Sequence, residues 1–194
     1  MGPPMIYPNW FKQIAQHNFE RFLIPLAGQR NLQFLQLGVF TGDASLWLAQ
    51  NVLTGVACRL HDVDTWQGAD NELVQEEMDF NDVYAIYKEK IKFYLSVISF
   101  RETTTSYLMG SQYESYDFIY VDAHHTSASA FLDCELSWPL LVKGGILAID
   151  DYEWVHPDGV DIHAPKTGIH MFLDRHAGEY EELVINQQCW IRKV

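Results

Sequence analysis

Cysteine is scarce in this chain: three among 194 residues, an odd number. Cys58, Cys134 and Cys189 stand far apart, with no zinc-type spacing and no disulfide framework. Cys58 and Cys189 fall in strand-like runs and Cys134 in a helix-like one, so all three are expected in the core. Positive charge is scarce too: 13 lysines and arginines face 26 acids, for a net charge of −13. Phosphate contacts need clustered basic residues, and no basic stripe is present, so nucleic acid is disfavoured as the main partner. The acidity itself reads as a solvated, self-repelling surface. No charged segment followed by an apolar one opens the chain, and no apolar run reaches membrane-spanning length. These absences lead us to expect a reducing, cytoplasmic compartment and no membrane partner. Internal repeats and low-complexity linkers are also missing.

What is present is ordinary globular composition, with 48% hydrophobic residues and a length that suits one domain, 1–194. Phe11, Ile14, Ala15, Phe19, Phe22 and Leu23 recur at helical spacing, and Pro25 ends the pattern. Residues 1–27 are thus expected to form a helical cap on a core at 32–194. The core alternates. Strands are expected at 32–37, 59–63, 97–100, 118–121 and 146–149, and helices at about 43–51, 72–92, 104–109, 127–141 and 167–176. In the 127–141 helix, Phe131, Leu132, Leu136 and Leu140 are read as inward. Segments 180–185 and 189–192 read as a closing antiparallel hairpin around Asn186-Gln187. The alternation predicts a three-layer α/β sandwich on a seven-stranded, mostly parallel sheet.

Several strands end in chemistry. Gly38-x-x-x-Gly42 lies between the first strand and its helix, where glycines admit a ligand to the backbone and a helix N-terminus attracts an anion. A tight turn is the plainer explanation, and Ser45 in the first helical turn adds a hydroxyl. The Gly-x-Gly-x-x-Gly spacing of dinucleotide binders is missing, which disfavours NAD. Asp64 ends the second strand, where an acid can accept both hydroxyls of a ribose; Asp62 competes from deeper in the strand. Asp122 ends another strand and Asp150-Asp151 a third. Burying these carboxylates together without a cation would be costly. Oxygen ligands without thiolate point to Mg²⁺, Ca²⁺ or Mn²⁺. His124 and His125 follow Asp122, and one of them is placed to act as a base. Tyr7, Trp10, Trp66, Tyr152 and Trp154 would stack on a planar ligand, cover the site, pack in the core or join copies in a homo-oligomer.

With these motifs in place the chain resembles class I S-adenosylmethionine-dependent methyltransferases. More narrowly, it is similar to the small metal-dependent O-methyltransferases of the macrocin O-methyltransferase and cephalosporin-hydroxylase-like group. The resemblance runs from Leu32 to Lys193, through Phe34–Ser45, Asp64–Gly68, Tyr116–His125 and Leu136–Tyr152. It implies a Rossmann-like methyltransferase fold. Cofactor contacts would come from Gln36, Gly38, Gly42, Ser45, Asp64, Thr65, Trp66 and Asp122. Asp122, Asp150 and Asp151 would hold Mg²⁺, and His125 would be the base. Gln36 departs from the acid that the family commonly has two residues before the first glycine; its amide oxygen can still bond the cofactor's ammonium, without the charge. The implied reaction is methyl transfer to a hydroxyl of a small molecule. Two other readings stand beside it. One is a catalytically silent cofactor-binding module. The other is a non-haem iron oxygenase using His156, Asp158 and a later histidine, although such sites usually lie in β-rich barrels.

Overall fold

In the computed structural model, residues 7–68 and 78–194 are described. Seven strands form one sheet: β1 (Gln33–Leu37), β2 (Arg59–Val63), β3 (Val97–Phe100), β4 (Tyr116–Val121), β5 (Leu141–Ile149), β6 (Tyr180–Ile185) and β7 (Cys189–Lys193). Their order across the sheet is β3-β2-β1-β4-β5-β7-β6. The first five run parallel, and β7 lies antiparallel between β5 and β6. The fold is thus the expected seven-stranded, mostly parallel one. The antiparallel strand sits one place in from the edge, which β6 occupies.

Helices cover both faces, as a parallel sheet requires, because its strands are apolar on both sides. Neighbouring β1 residues go to opposite cores. Phe34 packs with Phe19, Leu48, Tyr87 and Trp190, on the side of α1 (Gln16–Leu23), α2 (Asp43–Asn51) and α3 (Phe80–Ile91). Leu35 and Leu37 pack with Leu108, Cys134, Ile169 and Phe172, on the side of α4 (Thr104–Met109), α5 (Ser127–Ser137) and α6 (Lys166–Arg175). All three cysteines are buried and free. No helix among the described residues is long and apolar enough to cross a membrane.

The boundaries differ from expectation where caps and prolines intervene. Helix α3 begins at Phe80, because the Asp79 carboxylate caps it by accepting from the Asn81 amide at 2.9 Å. Of the expected 72–92 helix, residues 72–77 lie outside the described residues. Helix α5 stops at Ser137, since Pro139 lacks an N–H, and a 3-10 turn at Trp138–Leu140 leads straight into β5. That strand therefore starts at Leu141, not Ile146. Its register to β4 jumps from Tyr116–Leu141 to Phe118–Ile146, a bulge spanning Gly144, whose φ is +84°. Leu132 was expected inward but is 42% exposed; Asp133, beside it, is the buried residue.

One acid lies beneath the site. Asp62 is fully buried in β2, next to Gln36 in register, and accepts from the Tyr87 hydroxyl at 2.9 Å. Burial raises its pKa from 3.8 to about 7. The folded state thus favours the neutral acid, and the stability this group leaves intact below its unfolded pKa is lost as pH rises through about 7. Asp62→Asn should match the wild type near pH 4 and be more stable at pH 8, by up to about 4 kcal/mol. Urea melts at the two pH values check this; a pH-independent difference would contradict it.

Candidate active site

The sheet order reverses between β1 and β4, and ligands in open α/β sheets bind beyond the carboxyl ends of strands at such a point. The ladder continues one residue past each strand and so sets the positions of the site residues. Gly38 N–H donates to Val63 O at 2.9 Å, Asp122 N–H to Leu37 O at 2.8 Å, and Asp150 N–H to Val121 O at 2.9 Å. A cleft of about 360 Å³ opens there, within the usual size of small-molecule sites. Four strand-end loops wall it: Gly38–Phe40, Asp64–Trp66, Glu102–Thr105 and Asp122–His125. Trp10 from the N-terminal cap and Asp133 from α5 also line it.

Gly38 is held at φ +80°, and a Cβ there would lie 1.8 Å from the Asp122 carbonyl oxygen. Only glycine lets the β1 and β4 turns approach this closely. Asp64 ties the first turn to the second. Its Oδ2 accepts from the Val39 and Phe40 amides at 2.8 and 3.0 Å, and its Oδ1 from the Trp66 amide at 2.7 Å. The Trp66 indole donates to Phe40 O at 2.9 Å, and its ring is buried against Tyr84 and Tyr87. Thr65 and Trp66 thus border the cleft, while most of Trp66 belongs to the core.

Three of the expected cofactor residues do not reach the cleft wall. Gln36 is buried, donating to Gly38 O at 3.0 Å and accepting from Ser45 Oγ at 3.4 Å. Its amide bonds a carbonyl, a role an ionised acid cannot fill. Ser45 is fully buried, and Gly42 packs where a Cβ would meet the Tyr87 ring at 2.6 Å. These residues support the turn from below.

At the other end of the cleft the acids converge. Asp151, in a left-handed conformation at φ +56°, places its Oδ2 2.8 Å from His125 Nε2. Asp122, His125 and Asp151 each offer a ligand atom, all within 4.8 Å of one another. Burial, with Asp150 and Asp151 close by, holds the Asp122 carboxyl well above its ordinary range. Asp150 stands outside that trio. Its Oδ2 accepts from the Tyr120 hydroxyl, and its Oδ1 accepts from Gln188 Nε2 and from the Asp151 amide, both at 3.0 Å. Chiefly through burial, its pKa rises to about 6. His124 instead turns Nδ1 back to accept from the Thr126 amide at 3.3 Å. The ring of Trp154 lies 5.2 Å from that of His125. Of the other aromatics, Tyr7 and Trp10 pack on Phe40, and Tyr152 is buried.

Sequence reasoning missed Glu102–Thr105 and Asp133. The first follows β3 as the other site loops follow their strands, so the same strand-end rule could have found it. Asp133 is an acid on the buried face of α5; Thr104 Oγ1 donates to it at 2.7 Å, and burial raises its pKa to about 6. Gln188, which supports Asp150, gave no signal in the sequence.

Residues 35–152 match the family model of a methyltransferase domain. No curated protein sequence matches the chain. Solved structures share the fold at low identity. An O-methyltransferase from Bacillus cereus in complex with SAH is 16% identical, with a TM-score of 0.62, over 99% of this chain and 84% of that one. A protein from Clostridium thermocellum proposed to be an rRNA methylase is 12% identical, with a TM-score of 0.66, over 98% and 100%. The O-methyltransferase TomG from Streptomyces achromogenes, involved in tomaymycin synthesis and in complex with SAM, is 15% identical, with a TM-score of 0.60, over 97% and 91%.

Replacing Gly38 by alanine should destabilise the protein by about 3 kcal/mol or more, through strain at positive φ and the clash with Asp122. Denaturant unfolding would measure it; a loss under about 1 kcal/mol would mean that the two turns can part without cost.

Proposed function

The chain belongs to the methyltransferase-domain family, and from that premise we propose that it is an S-adenosylmethionine- and Mg²⁺-dependent O-methyltransferase acting on a hydroxyl of a small molecule. The observation that carries this reading is the arrangement at the strand ends. One cleft is lined by an acid fixed at the end of β2 and by Asp122 and His125 after β4, and Asp151 after β5 completes an Asp–His–Asp set with these two. SAH in the Bacillus cereus structure and SAM in TomG support the cofactor.

The residues fit both groups. Asp64 gives both acceptor positions of Oδ2 to the Val39 and Phe40 amides and one of Oδ1 to the Trp66 amide, which leaves one position on Oδ1, suited to a ribose hydroxyl. Asp122 and Asp151 form a hard-oxygen pair that repels itself without a cation, and Asp150 stands behind as third carboxylate. The cofactor supplies a methyl on a sulfonium, and the metal a positive charge that makes a nearby hydroxyl more acidic. His125 is the proposed base. Asp151 orients its Nε2 edge and stabilises the imidazolium formed when it takes the acceptor's proton. The four loops contribute position, which is a large part of such rate enhancements. A net charge of −13 and a cleft of this size favour a small acceptor over RNA.

Asp64→Ala should weaken S-adenosylhomocysteine binding by about 1–3 kcal/mol in calorimetry. Unchanged affinity would remove Asp64 from the cofactor site.

Added Mg²⁺ should raise the melting temperature, since a ligand of the folded state stabilises it, and Asp151→Asn should abolish most of that shift. His125→Ala should keep the shift while turnover of hydroxylated acceptors falls roughly 10²–10⁴-fold. If His125→Ala loses the shift as well, the histidine is a ligand and not the base. A panel of acceptors, scored by conversion of S-adenosylmethionine to S-adenosylhomocysteine, tests the reaction; binding without conversion would leave a silent module.

A further inference from the structure

The loop between β5 and α6 gathers three side chains that the proposed reaction does not use. His156 Nδ1 lies 2.7 Å from Asp158 Oδ1, and His163 Nδ1 lies 2.6 Å from Asp158 Oδ2. One ligand atom from each of the three residues is within 4.8 Å of the others. We propose that His156, Asp158 and His163 form a second metal site, for a borderline divalent cation of the Zn²⁺ type.

The donor set separates this site from the acidic one. Two imidazoles and one carboxylate suit Zn²⁺, Co²⁺ or Ni²⁺, whereas Mg²⁺ prefers oxygen. The geometry also differs from an ordinary histidine ion pair. At His176 one ring bridges two acids by its opposite edges, with Nε2 3.0 Å from Glu135 and Nδ1 2.8 Å from Glu179. At 156–163 two rings converge on one carboxylate, each by the same Nδ1 edge. The rings are 5.3 Å apart and inclined at 76°, with one donor atom of each of the three residues within 4.8 Å of the others. His163 and Asp158 are about 40% exposed there, which gives an ion a way in.

The chain between the ligands is short. All three donors fall within 156–163, and Gly159, at φ +70° with open space around its Cα, lets the backbone reverse. Closing so small a loop costs little entropy. The Glu153–Lys166 ion pair, at 2.9 Å, spans the same segment. Trp154 touches both centres, its ring 5.8 Å from His156 and 5.2 Å from His125. An ion on the loop would therefore also steady the indole that packs beside His125.

The test is a titration of metal-free protein with Co²⁺, followed by visible absorption, then displacement by Zn²⁺. The wild type should give a ligand-field band that saturates with one equivalent and persists in excess Mg²⁺. His156→Ala and His163→Ala should lose it, with circular dichroism spectra like the wild type. Asp158→Asn provides a third variant should either fail to fold. Asp151→Asn should retain the band, which separates this site from the acidic cluster and from the methyl-transfer reading. The proposal is overturned if the wild type gives no band, if the loop variants keep it, or if Asp151→Asn alone removes it.

Discussion

One carboxylate holds the cleft open. Asp64 accepts from three backbone amides belonging to two loops, and so fixes the turn after β1 against the turn after β2. Both loops contain bulky residues in the left-handed region, Phe40 at φ +53° and Trp66 at φ +48°. Such conformations cost of order 1–3 kcal/mol each. Hydrogen bonds to an ionised acceptor are among the stronger ones and offset that strain. The indole of Trp66 closes the arrangement by bonding Phe40 O. Everything in the first half of the cleft is placed relative to this clasp.

The acids around it are stabilised in different ways. Asp64 is satisfied by amides. Asp62 lies deeper, with the Ser45 and Tyr87 hydroxyls for partners, and takes up a proton near neutrality. Asp150 is surrounded by donors from Tyr120, Gln188 and the Asp151 backbone. Asp122 and Asp151 have His125 beside them and repel each other. This gradient, from fully satisfied to mutually repelling, is what marks one end of the cleft as the place for a cation and a proton transfer.

Much of this was legible in the sequence. Strand–helix alternation and the closing hairpin were enough for the seven-stranded sheet, because period and turn residues are local properties. Gly38, Asp64, Asp122 and Asp150 were legible because each stands one step beyond a strand, where the ladder itself decides position, and Asp151 and His125 because they follow closely in the same loops. What could not be read was which way each side chain turns. Gln36 and Ser45 look like ligands by spacing, yet they bond each other under the turn. Leu132 is exposed despite its apolar spacing, because that stripe of the helix borders the cleft, which Leu132 lines together with Asp133. Gln188 could not be found as a support for the site from local pattern, since Asp150 and Asn18, which its side chain bonds, lie 38 and 170 positions away.

That last network also bears on how the molecule assembles. Asn18 of α1 donates to Gln188 Oε1 at 2.8 Å, Trp190 shares the same oxygen at 2.9 Å, and Gln188 in turn holds Asp150. Contacts so distant along the chain carry a larger loop-closure cost than local ones. A partly folded chain with β1 to β5 in place would have its strand ends aligned and Asp64 engaged. Its Asp150 would still lack Gln188. Maturation of the acidic end is thereby tied to docking of the cap and the final hairpin, so a half-assembled molecule would lose order first at this end of the cleft.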